Sequence, residues 1–117
     1  MIKELQTKDF KASPNQIQIK GVTSPGMILI YQNWCGHCVR FKPTYAELDN
    51  KIGGKFGFFA VEGDAIDPSL VSSLVDSGYP TLKFVNSKGF VSKEAYDGNR
   101  DEKSLLQYIC KKFHTCT

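Results

Sequence analysis

The chain has 117 residues, a length that fits one domain around one hydrophobic core. Hydrophobic residues at 41% and charged residues at 23% are ordinary globular values and exclude wholesale disorder. The net charge is only +3, and the Lys and Arg residues are scattered with Lys111-Lys112 as the one basic pair, so neither nucleic acid nor an anionic membrane is an expected partner.

Ile2 to Leu5 reads as a short strand, and Ser13-Pro14-Asn15 as a turn. Gln16 to Lys20, QIQIK, alternates apolar and polar residues, the period of a half-buried strand. Thr23-Ser24-Pro25-Gly26 turns the chain into MILIYQ, Met27 to Gln32, whose apolar run predicts a strand buried on both faces. A helix follows, with Phe41, Tyr45, Leu48 and Ile52 spaced along one side, and Gly53-Gly54 ends it. Pro43 lies inside this helix and cannot donate to the carbonyl of Val39, which predicts a bend there and not a stop. Phe56 to Val61, FGFFAV, is a second buried strand. Asp67-Pro68 supplies an N-cap and first helical position for a helix whose face is Leu70, Val71, Leu74 and Val75. Thr81 to Asn86 is a strand, Ser87-Lys88-Gly89 a turn, and Phe90 to Tyr96 the returning strand of a hairpin. After Gly98-Asn99-Arg100, a last helix starts at or beside Asp101 and buries Leu105, Leu106, Ile109, Cys110 and Phe113.

A buried strand, a helix and another buried strand imply a parallel βαβ unit, and the short turn at Ser87 implies an antiparallel pair. Together they give an α/β fold, a central mixed sheet flanked by helices on both faces, with residues 1–117 forming a single domain. The opening MIKELQTKDF has no apolar h-region, the run Met27 to Tyr31 is too short to span a bilayer, and KKFHTCT is no recognised retention signal. The expectation is therefore a cytoplasmic protein, or one packaged in a virion. In such reducing surroundings four cysteines serve as thiols or a catalytic pair, not as a disulfide framework.

The chemistry concentrates in NWCGHCVRFKP, Asn33 to Pro43. Cys35 follows a strand and stands where a helix begins, so its sulfur faces unpaired backbone N–H groups and the positive end of the helix dipole. Both favour the thiolate, which is the form that attacks disulfides. Cys38 lies about one turn on and can close a disulfide with Cys35 or attack a mixed disulfide that Cys35 has formed. This predicts Cys35 as an exposed attacker and Cys38 as the more buried resolver. A protonated His37 adds positive charge that stabilises the thiolate, and hence the reduced form, while Gly36 leaves the turn unhindered. Two other readings compete: half of a zinc site, or two idle core cysteines. Zinc wants four ligands, and Cys110, His114 and Cys116 are distant and wrongly spaced for a second knuckle. The Trp, Gly and His around the pair are not core filler.

WCGHC followed by Pro43 resembles the active-site segment of the thioredoxin superfamily, in its protein disulfide isomerase type. A CxxC beside a βαβ pattern is a general signature of that fold. Gly78-Tyr79-Pro80-Thr81 leading into LKFV is similar to the family's cis-proline segment, and Tyr96-Asp97-Gly98-Asn99-Arg100 resembles its YxGxR. The likeness runs from about Met27 to Phe113, leaving residues 1–26 as a divergent N-terminal part and 114–117 as a tail. It implies a thioredoxin-like fold and a thiol–disulfide oxidoreductase using Cys35 and Cys38, with no cofactor beyond their disulfide and no metal. It also implies a cis peptide before Pro80, a Tyr79 backbone that pairs with an extended substrate, and a docking surface of Trp34, Gly78, Tyr79, Pro80 and Gly98. The implied partners are protein substrates and a redox partner, whether a reductase, an oxidase or glutathione, and the implied state is a monomer. The alternative is a non-catalytic binding or chaperone module.

Several features depart from the family pattern. Leu29 stands six residues before Cys35, where the family carries a buried acid that takes the proton of the second cysteine. Val75-Asp76-Ser77 lacks the arginine that isomerases often place before the cis-proline. Slower resolution by Cys38 is the expected consequence. SPNQIQIKG replaces the family's first helix with an extended segment. Cys110 is expected as a small buried hydrophobe and Cys116 as an exposed tail residue; along a continuous helix they are too far apart to bridge, unless the tail folds back.

Overall fold

The computed structural model describes residues 1–116. Strand β1 (Lys3–Glu4) is followed by β2 (Phe10–Ser13), β3 (Gln16–Ile19), β4 (Gly26–Tyr31), helix α1 (Gly36–Ile52), β5 (Gly57–Glu62), α2 (Pro68–Leu74), β6 (Thr81–Val85) and α3 (Glu102–Phe113). Four strands form the main sheet in the order β1-β5-β4-β6, while β2 and β3 make a separate antiparallel hairpin around the Pro14 turn. β4 runs parallel to β5, with α1 as the crossover, and antiparallel to β6. The sheet is therefore mixed, as expected.

β4 is buried along its whole length because both faces of the sheet are covered. Successive residues point to opposite sides. Met27, Leu29 and Tyr31 pack with Phe41, Tyr45 and Leu48 of α1 and with Leu105 and Ile109 of α3. Ile28 and Ile30 pack on the other side with Leu70 and Leu74 of α2 and with Ile17 and Ile19 of the hairpin. Helices thus flank both faces. The extended SPNQIQIKG becomes this hairpin, which covers the sheet beside α2. At the start of the parallel pair Gly26 stands opposite Gly57, and a Cβ on Gly26 would run into the Gly57 carbonyl.

Two expectations need correction. Phe90 to Tyr96 is not a regular strand; it touches its neighbours through isolated bridges, Val91 with Val85 and Phe90 with Gln18. The Ser92 N–H donates to Phe84 O and the Tyr96 N–H to Leu82 O, so four steps on one chain face two on the other. The surplus residues bulge outward. Ser92 Oγ helps by accepting the Phe84 N–H and donating to the Glu94 carbonyl. The second correction concerns Cys110, which is disulfide-bonded to Cys116 and is no inert hydrophobe. His114, at φ 57, ends α3 in the left-handed conformation and turns the tail back along the helix. Among the described residues no helix is long and apolar enough to cross a membrane.

Candidate active site

β4 delivers the chain to the top of the sheet, and a tight turn carries it into α1. The Cys35 N–H donates to Gln32 O at 3.1 Å, closing that turn. Cys35 is the N-cap of α1, with extended backbone, and its sulfur accepts the Cys38 N–H at 3.3 Å. The cysteine therefore does what a Ser or Asp cap does, satisfying a donor that the helix start leaves unpaired. On its other side the Cys35 thiol faces the Tyr79 carbonyl at 3.6 Å.

This surrounding shifts both thiols, in opposite directions. Cys35 is held below the ordinary thiol value, first by the Cys38 thiol donating to it, then by the backbone N–H groups of Cys38 and His37 and the charge of Arg100, against partial burial. Burial, together with the anionic partner, pushes the Cys38 thiol up to about 11. Cys35 keeps 7% of its surface and Cys38 none. Cys35 is thus more accessible than Cys38, but it is not the exposed residue that its place in the sequence implies. The Tyr79 backbone lies against its sulfur, and only a narrow approach is left.

The Tyr79–Pro80 peptide is cis. Gly78, at φ 131, turns the chain into it in a conformation that suits glycine. Trp34 is 71% exposed and meets the Tyr79 ring edge-on at 6.0 Å. Pro80 and Gly98 line a cleft of about 220 Å³ together with Arg100. Cys35, Cys38, Trp34, Tyr79 and Pro80 are brought together at one end of the sheet. Gly98 lies along the cleft that leads away from them. The His37 ring turns outward, where Nδ1 meets Arg40 Nη2 at 2.9 Å. Arginine has only donors, so Nδ1 accepts. Leu29 is buried in the α1-side core and brings no acid to Cys38.

Sequence reasoning passed over two residues here. Arg100 sits inside the YDGNR motif, and its charge lowers both cysteines. An arginine therefore acts on the dithiol after all, from the loop before α3 and not from Val75-Asp76-Ser77. Gln32 is 4% exposed, and its backbone carbonyl accepts the Cys35 N–H. A polar residue ending a buried apolar strand was the only available signal. Of the distant zinc candidates, Cys110 and Cys116 are bonded to each other, and among the described residues no three His, Cys, Asp or Glu side chains gather into a metal-binding group.

The thioredoxin family model matches residues 2–111. The chain belongs to the thioredoxin family. It is 34% identical over 110 residues to a mitochondrial thioredoxin domain-containing protein of Schizosaccharomyces pombe, covering 91% of this chain and 29% of that protein. It is 31% identical over 106 residues to protein disulfide-isomerase like 2-2 of Arabidopsis thaliana, covering 88% of this chain and 23% of that one. The thioredoxin-family chain thus spans less than a third of these relatives. The crystal structure of the Trx4 domain of ERdj5 superposes with a TM-score of 0.74 at 22% identity, covering 97% of this chain and 96% of that chain, which shows the same fold. These relatives overturn the expectation of a cytoplasmic or virion-packaged protein, since one is named as mitochondrial and another as a protein disulfide-isomerase. A cell address is read from targeting segments, so the composition of a folded domain does not encode it.

Proposed function

We propose that this domain is a thiol–disulfide oxidoreductase of the protein disulfide isomerase type, acting on protein substrates. One observation carries the reading: the Cys35 sulfur caps α1 and is held below the ordinary thiol value, while burial pushes its partner Cys38 up to about 11. The two thiols are thereby assigned different tasks. Cys35 is the thiolate that attacks a substrate disulfide. Cys38 stays protonated until the mixed disulfide has formed, then displaces the substrate. An extended substrate lies along the Tyr79 backbone in the manner of an added strand, against Trp34 and Pro80. Gly36 adds no side chain to the narrow approach to Cys35, and the His37 backbone N–H steadies the thiolate.

The couple is oxidising in this reading. The helix start and Arg100 stabilise the thiolate and so the reduced form, which makes the disulfide a better oxidant. Equilibration against glutathione is expected to give a potential nearer the isomerase value of about −180 mV than the thioredoxin value of about −270 mV. A potential at the thioredoxin end would replace the oxidising reading with a reductase. Cys35→Ser is expected to abolish turnover of a disulfide-bonded protein substrate; if the variant keeps full activity, the dithiol is not the reaction centre.

A further inference from the structure

We infer that Gln32, seated on Gly63 and tied to Asp64, is a positioning residue that holds the dithiol ready for resolution by Cys38. The inference rests on the dithiol chemistry of Cys35 and Cys38 in the reading above, not on its protein substrates. Gln32 lies just past the end of β4 and is 4% exposed, an unusual burial for a polar side chain. Its Nε2 donates to Asp64 Oδ1 at 3.2 Å, in the turn that follows β5. Gly63 is the floor of this arrangement: Gln32 Nε2 stands 2.6 Å, and the Tyr79 hydroxyl 2.8 Å, from the place a Cβ on Gly63 would take. Only glycine leaves room for both. The same Gln32 accepts the Cys35 N–H on its backbone carbonyl. Its backbone N–H favours the Cys38 thiolate against the penalty of burial.

Gln32 therefore holds Cys35 through its backbone carbonyl, favours the Cys38 thiolate, and is anchored through its side chain. Its Oε1 is buried and has no protein partner among the described residues. Leu29 lies in the core and supplies no acid to Cys38, so the anion that must form there is favoured by the Gln32 backbone N–H and the charge of Arg100. In the resolving step Cys38 gives its proton to solvent and its sulfur attacks that of Cys35. A Cys35–Cys38 bond forms and the bond between Cys35 and the substrate sulfur breaks. The substrate leaves with the electron pair as a thiolate and takes up a proton; it is reduced by two electrons as the pair is oxidised.

The test uses the whole chain loaded at Cys35 with glutathione, and follows release of glutathione across pH. Gln32→Ala is expected to slow release roughly fivefold at neutral pH, the size of one hydrogen bond, and to move the pH profile upward. Asp64→Ala is expected to behave alike, and Asp64→Asn, which keeps an acceptor for Nε2, to restore the wild-type profile. Gly63→Ala should displace the Gln32 amide and give the same slowing. Release rates and pH profiles equal to wild type in Gln32→Ala and Asp64→Ala would overturn the inference, even where thermal stability falls. Slowing in Asp64→Asn equal to that in Asp64→Ala would overturn the tie between the two side chains. Glutathione release reads the dithiol alone. An inactive wild type on protein substrates therefore defeats the functional reading without touching this one.

Discussion

At the residue scale the site works by giving two chemically identical thiols different environments. Cys35 sits where the helix leaves donors unpaired; Cys38 sits three residues on, where no water reaches. Iodoacetamide at neutral pH is expected to label Cys35 first, with a rate that falls as pH falls through its lowered pKa. Cys38 is expected to stay unlabelled until pH approaches its value of about 11. Peptide mapping of alkylated protein checks both. The sign for stability follows from linkage. The Cys38 pKa is raised on folding, from 9.0 to about 11, so the folded reduced state binds the extra proton between those values. Reduced protein is then expected to lose stability as pH rises from 9.0 towards 11, seen as a falling urea midpoint. Cys35 works in the opposite sense: its contribution is present above the unfolded thiol value and is lost as pH falls through the folded one.

At the element scale, α1 and the turn before it hold the dithiol, and the sheet fixes where they point. Leu29 of β4 lies in the core on the α1 side, six residues before Cys35. Leu29→Glu is expected to speed single-turnover resolution at neutral pH while lowering the melting temperature, because an ionisable group replaces a packed leucine. An unchanged rate would mean that the missing acid is not limiting. The end of α3 gives an independent prediction. The Cys110–Cys116 bond closes a loop with a sequence separation of 6. Cys116→Ser is expected to cost about 2 kcal/mol from loop-closure entropy. Calorimetry under non-reducing conditions checks it; dithiol chemistry should be unchanged, because the bond lies at the far end of the helix that packs under α1.

At the scale of the whole molecule, folding and redox state are linked. If native structure stabilises the Cys35 thiolate, it favours the reduced pair more than the unfolded chain does. In a Cys110→Ala/Cys116→Ala background, where only one disulfide can form, the reduced protein is expected to unfold at higher urea than the oxidised one. A more stable oxidised form would contradict the oxidising potential proposed above. The cores on the two faces share β4, so the dithiol end and the body of the sheet are held by the same strand.

The sequence by itself determined the order of elements from Met27 to Asn86, the last helix, the mixed sheet and the dithiol. These depend on local signals: buried β-rich runs, helical spacing after Cys35, and GYPT and YDGNR as punctuation. It also located the positions of the candidate docking residues along the chain. Tertiary structure decided what depends on distance in space. The bulge at Ser92 replaced a regular strand because hydrogen bonds across β6 set its register. The left-handed turn at His114 brought Cys116 back to Cys110, which helical spacing alone forbids. The near-burial of Cys35, the reach of Arg100 to both thiols and the seat of Gln32 on Gly63 are made by residues far apart in the chain. Local patterns report which conformation each segment prefers. Only the packed fold reports which groups then share one small volume without water, and that sharing sets the pKa difference on which the proposed chemistry depends.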